Sequence, residues 1–210
     1  MARTRQRAGA SPTFSPSSAM SFVPSRVLGL ALTVCAALLP VAADAQRAPN
    51  VPGMQPSGPV INSTGFSIKV ENPTFAIPAG HVFKAVWEIN QGDTTAVNQQ
   101  LTTIARFLNV HARHGIPGAN VQTAAVVHGN GWMAVLSDSA YGARYGGKPN
   151  PSKALVQELL ASGTQLVLCG QTAGARGIKQ SELLPGVQLA ISAMTAFNVF
   201  QAQGFQFNPW

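Results

Sequence analysis

The chain has 210 residues, with 14 Lys and Arg against 7 Asp and Glu, a formal net charge of +7, and only 10% charged residues. That length suffices for one domain with a proper core. So few acids argue against a site built on paired carboxylates, and basic residues scattered without aromatic interleaving argue against a nucleic-acid interface.

The first segment is basic, with Arg3, Arg5, Arg7 and Arg26, and an apolar run follows from Val27 to Ala43. It closes on Ala43-Asp44-Ala45, a small-x-small site. This order is that of a secretory signal, and cleavage is expected after Ala45. Met20 is an alternative start that leaves a signal of ordinary length. Pro40 near the end of the run argues against a retained transmembrane helix. Val34 before Cys35 argues against lipid attachment. Without residues 1–45, ten basic and six acidic residues remain, a net charge of +4. Cys35 leaves with the signal, so Cys169 is expected to be the single thiol of a periplasmic or secreted protein, with no membrane span and no internal disulfide.

Residues 46–80 form a Pro- and Gly-rich arm, expected to be extended or mobile, with a short strand at Phe66–Val70. Residues 81–210 form the main domain. His81–Ile89 reads as its first strand. Asp93 or Thr94 is expected to cap the next helix, whose apolar face is Val97, Leu101, Ile104, Ala105 and Leu108. Arg113 and His114 before Gly115 mark its end. Val121–His128 is a nearly continuous apolar strand, as in a parallel sheet covered on both faces. Trp132–Ser139 is expected to be helical and Tyr141–Asn150 a Gly-rich loop. Pro151 opens a helix after the cap-like Asn150, and Gly163 ends it. Thr164–Cys169 and Val187–Ile191 are further strands. Ser192 caps a last helix with Met194, Phe197, Val199 and Phe200 expected in the core. The tail from Phe205 to Trp210 is expected to run back along the domain. Alternation of strand and helix argues an α/β fold with a mainly parallel sheet.

Cys169 ends an apolar strand, and Gly170-Gln171-Thr172 can open a helix directly after it. That places the thiol at the carboxyl edge of the sheet, where such folds bind ligands. Backbone N–H groups of the following turn would stabilise a thiolate. The alternative is a small buried residue closing a strand. His128 also ends a strand and precedes a glycine, so the pair could hold the thiol ionised; alternatively, His128 only caps its strand. Gly129, Gly170, Gln171, Thr172 and Arg176 are the expected binding residues around the pair. Arg176 is expected to attract an anionic sulfur species or to bridge to Glu182; the alternative is a solvated charge at a helix end. His111 and His114 stand at i, i+3 without a third ligand, so no metal site and no cofactor are expected. The Gly129-Asn130-Gly131 and Tyr145-Gly146-Gly147-Lys148 runs fit no nucleotide-binding pattern.

Val126-Val127-His128-Gly129-Asn130-Gly131, Val167-Leu168-Cys169-Gly170-Gln171-Thr172 with Ala175-Arg176-Gly177-Ile178, and Leu183-Leu184-Pro185-Gly186-Val187 together resemble the DsrE/DsrF-like family of sulfur-relay proteins. The resemblance covers about His81 to Phe205. It implies a three-layer α/β/α domain with a central, mostly parallel five-stranded sheet, assembled as a homo-oligomer, a trimer or hexamer. It implies that Cys169 accepts sulfur as a persulfide and hands it to a partner protein, as a carrier or sulfurtransferase. His128 matches the family's strand-end histidine. The export signal departs from the cytoplasmic relay members. The alternative is therefore a non-catalytic periplasmic oligomer that keeps the fold as a binding or assembly module.

Overall fold

The structure is a computed structural model that describes residues 50–209. The signal segment, Cys35, the Ala45 cleavage site and Trp210 lie outside the described residues. The central sheet has five strands: β3 (Phe83–Ile89), β4 (Val121–Val127), β5 (Gln165–Cys169), β6 (Gln188–Ala190) and β7 (Gln206–Phe207). Their spatial order is β6-β5-β4-β3-β7, and every pairing is parallel. A separate two-stranded antiparallel ribbon pairs β1 (Met54–Gln55) with β2 (Ser67–Ile68).

Alternation along the strands sorts their side chains into two layers. Trp87, Ile89, Ala125, Val127, Leu166 and Leu168 join one core cluster with residues of α1 (Gln99–Arg113), α3 (Lys153–Ala161) and α4 (Gly170–Ala175). Val86, Ala124, Val126 and Val167 pack on the other face against Ala196 and Phe200 of α5 (Ala193–Ala202). The result is the expected three-layer α/β/α fold. Its fifth strand is the tail: β7 lies beside β3 at the edge, after Phe205 is buried against Phe200.

Several boundaries differ from expectation, each for a local reason. Asn98, not Asp93 or Thr94, caps α1, its side-chain oxygen accepting from Leu101 N at 3.1 Å. Asp93 instead closes a turn by accepting from the N–H groups of Thr95 and Ala96. The expected helix at Trp132–Ser139 is a 3-10 stretch, Gly129–Val135, and Leu136 then bridges to Leu183. The expected loop at Tyr141–Asn150 opens with a helix, α2 (Asp138–Arg144), capped by Ser137. Ser152, rather than Asn150, sits at the start of α3. The Asn150 side chain accepts from Ser152 N and donates to the carbonyls of Ala134 and Leu136. Met194 and Val199, expected in the core, are exposed.

The arm is extended and docked. Ile61 is fully buried in the main core. Asn109 of α1, itself fully buried, accepts from the N–H groups of Val60 and Ile61 and faces the carbonyls of Ile61, Thr64 and Gly65 with its amide nitrogen. Glu158 of α3 accepts from the N–H groups of Asn62 and Ser63. Arg113 donates to Ser67 Oγ and to the carbonyls of Ser57 and Gly58. An irregular segment can be fastened in this way because side chains of a neighbouring helix satisfy its backbone.

Candidate functional site

Cys169 is the last residue of β5, 5% exposed, and α4 begins at the next residue. Gly170 makes this handover possible. A Cβ there would lie 2.4 Å from the carbonyl oxygen of Ala190 and 3.0 Å from that of Ile191. Only a residue without a side chain lets β6 close over the end of β5. Gln171 fastens the same contact by donating to Ile191 O at 3.1 Å. Ser192 then caps α5, accepting from Thr195 N at 3.0 Å, and the start of that helix faces the sulfur. Burial pushes the Cys169 thiol up. The N–H and hydroxyl of Thr172 and the N–H groups of Ala193 and Gln171 more than offset this, so its pKa falls below the ordinary thiol value.

His128 follows β4 in extended conformation, and its N–H donates to Ile89 O at 2.9 Å. Its imidazole bonds Glu88 rather than the thiol, with Nε2 2.7 Å from Glu88 Oε1. Glu88 is the residue that sequence reasoning missed. The signal was there: an acid in an apolar strand, next to last in His81–Ile89, on the face opposite Trp87 and Ile89. Gly129 takes a positive φ of 51° and lets the backbone turn close to Asn90. Asn130 N donates to Asn90 O at 2.9 Å. The Gly129-Asn130-Gly131 run thus joins the ends of β3 and β4.

Arg176, just past α4, reaches back over this edge. It donates to Asn130 Oδ1 at 3.4 Å, and its guanidinium lies 6.0 Å from the centre of the Trp132 ring. The expected bridge to Glu182 is absent, because Glu182 pairs with Arg144 at 2.9 Å and accepts from Lys179 N. Cys169, Gly170, Gln171 and Thr172 therefore stand together at the end of β5. His128, Gly129 and Arg176 belong to the neighbouring β4 corner.

Among the described residues, no group of three His, Cys, Asp or Glu side chains is placed to hold a metal ion. His114 uses both ring nitrogens: Nδ1 bonds Val110 O at 2.6 Å and Nε2 accepts from Val70 N at 2.9 Å. His111 bonds Phe107 O through Nδ1, and burial lowers its pKa. None of the described helices is long and apolar enough to cross a membrane. A groove of about 350 Å³ runs beside the site between β6 and α5, lined by Val167, Leu189, Ala190, Ile191, Ala196 and Phe200. A wider apolar groove of about 730 Å³ lies at the other end of α1, between the arm and Val110, His114 and Ile116.

Residues 90–207 match the family described as DsrE/DsrF-like. Among solved structures, the chain is similar to a protein of unknown function from Methanobacterium thermoautotrophicum. The identity is 20%, over 60% of this chain and 97% of that chain, with a TM-score of 0.46. No curated protein matches.

Proposed function

The chain belongs to the DsrE/DsrF-like family, and from that premise we propose that it is a sulfur carrier whose Cys169 holds sulfane sulfur as a persulfide. The observation that carries this reading is the environment of the thiol. Four donors, from Thr172, Gln171 and Ala193, outweigh burial and favour a thiolate. Such a thiolate can attack the outer sulfur of a donor persulfide, R–S–SH. A new S–S bond forms to Cys169, the R–S bond to that sulfur breaks, and R–S⁻ leaves and takes up a proton. One sulfur has moved and no outside oxidant or reductant is needed. The same exchange in reverse order passes the sulfur to an acceptor thiol. We further propose that the protein is exported by its N-terminal signal, with cleavage after Ala45, and works in the periplasm or outside the cell. An oxidising compartment favours a thiol that is nearly enclosed, as this one is.

The test is the alkylation rate of Cys169 against pH, with intact mass recorded after exposure to a small-molecule persulfide. The expected result is ionisation below the ordinary thiol range and a stable gain of one sulfur, both lost in Cys169→Ser. A thiol that ionises in the ordinary range and gains no sulfur would overturn the reading.

A second reading, a non-catalytic oligomer that binds or assembles, is favoured by one observation. Leu189, Ile191, Met194 and Val199 expose apolar surface along β6 and α5, with Ile191 76% and Met194 78% exposed. Surface of this kind is usually covered by a partner. A homo-oligomer, trimer or hexamer, is compatible with both readings. Loss of function in a folded, fully assembled Cys169→Ser variant decides for the carrier.

A further inference from the structure

The Glu88–His128 pair lies on the same side of the sheet as the sulfur. Along β3, β4 and β5, Val86, Val126 and Val167 point toward α5. By alternation Glu88, His128 and Cys169, each two residues further along its strand, take that same side. The last paired residues of β4 and β5 are Val127 and Leu168. His128 and Cys169 are the next residue on each chain segment, side by side at the end of the ladder. The three residues thus run across three adjacent strands at the carboxyl edge.

Their chemistry is ordered as well. A carboxylate only accepts hydrogen bonds, so Nε2 of His128 carries the hydrogen in its 2.7 Å contact with Glu88 Oε1. That tautomer leaves Nδ1 with its lone pair, and among the described residues no protein group bonds it. The other elements packed on this corner bring little competition. The helix α5 contains no titratable side chain, and Arg176 beyond α4 is engaged with Asn130. His128 is therefore a titratable side chain on the strand next to Cys169, at the same edge and on the same side of the sheet.

We propose that Glu88 is a positioning residue of this site: through Nε2 of His128 it fixes the imidazole as the base that takes the Cys169 proton and returns it to the departing thiolate. The inference rests on the sulfur-carrier reading. In the transfer, the Sγ proton moves to Nδ1. The thiolate bonds the outer sulfur of R–S–SH, and the electron pair of the broken bond leaves on R–S⁻. The Nδ1 proton then passes to R–S⁻, giving R–SH. The Glu88 carboxylate stabilises the imidazolium while it exists, the division of labour of a nucleophile, base and orienting acid. The opposing reading is an ion pair of purely local effect, since the side chains of His128 and Glu88 are 27% and 34% exposed.

The deciding experiment compares the wild-type protein with Glu88→Gln, Glu88→Asp and His128→Asn under single turnover. Sulfur uptake is followed by intact mass with two donors, an alkyl persulfide and an aryl persulfide whose thiolate leaves without a proton. Alkylation by iodoacetamide at alkaline pH, where no proton need be delivered, serves as the reference. Glu88→Gln is expected to slow uptake from the alkyl donor by about tenfold or more. Uptake from the aryl donor and alkylation should change far less, and Glu88→Asp should recover part of the loss. Equal uptake by wild type and Glu88→Gln overturns the inference and leaves the carrier reading standing. So does a loss that is the same for both donors and for alkylation. A wild-type protein that gains no sulfur overturns both.

Discussion

Cys169 stands between opposing influences: burial that favours the thiol and four donors that favour the thiolate, with the donors prevailing. A pKa lower in the folded chain than in the unfolded one is also a statement about stability. The folded state gains from the thiolate fully above the ordinary thiol value of 9.0 and loses that gain as pH falls through the lower folded value. Cys169→Ala should therefore cost more stability, relative to wild type, at alkaline pH than at acidic pH. Urea denaturation of both proteins in reductant measures this, and a pH-independent difference would contradict it. Asn109 is the corresponding structural residue. It is fully buried and ties down the segment from Val60 to Gly65. Asn109→Ala orphans two backbone N–H groups and should cost about 2–3 kcal/mol. Hydrogen exchange should rise in the arm while the protection of β4 and β5 persists. Neither Asn109 nor Glu88 was singled out from the sequence. A polar residue on a helix or strand reads as solvent-facing until its partner, here 40 to 49 residues away, is brought to it.

Among the elements, the β5–α4 handover decides what Cys169 can do. The missing side chain of Gly170 lets the Ala190 carbonyl approach, which brings β6 and the first turn of α5 over the thiol. In Gly170→Ala the added methyl meets backbone, which cannot swing aside as a side chain can. The expected cost is about 1–3 kcal/mol, with faster alkylation of Cys169 at a given thiolate fraction as β6 is pushed away. Unchanged stability and unchanged alkylation would show that the corner relaxes freely. The elements also mark where local signals mislead. Asp93 is a good capping residue, but the chain uses it for an earlier turn, and Asn98 caps α1 by accepting from Leu101 N while its amide nitrogen donates to Gln91 O. Met194 and Val199 fit a helical apolar stripe. The buried stripe of α5 is instead Ala196 and Phe200, with Ala193 and Phe197 partly buried against the same cluster and Phe205 of the tail beside them.

For the whole molecule, the uneven covering of the sheet is the main feature. One face carries α1, α3 and α4 with the docked arm, and the other carries α5. The edge strand β6 and the outer side of α5 leave Leu189, Ile191, Met194 and Val199 uncovered. If the proposed homo-oligomer forms through this surface, Met194→Glu combined with Ile191→Asp should lower the mass measured by light scattering to that of one chain. The monomeric variant should keep the wild-type circular dichroism. A wild-type protein already monomeric at micromolar concentration would remove this assembly from the account.

The α/β class, the parallel strands that lead to His128 and Cys169, the stop of α1 before Gly115 and the capping of α5 by Ser192 were all legible in the sequence. Each rests on a local cause: apolar period, strand length, a glycine or a capping hydroxyl within a few residues. The family was legible too, because its motifs are short runs in fixed order. What depended on tertiary structure was every pairing between distant residues. The tail becomes the fifth strand because β3 has an open edge and Phe205 a hydrophobic seat. The arm is held by Asn109, Glu158 and Arg113. His128 bonds Glu88 instead of Cys169, and Glu182 bonds Arg144 instead of Arg176. A charged or polar side chain settles on whichever partner the packed backbone brings within about 3 Å, and that distance is set by the fold rather than by the residue's neighbours in the chain.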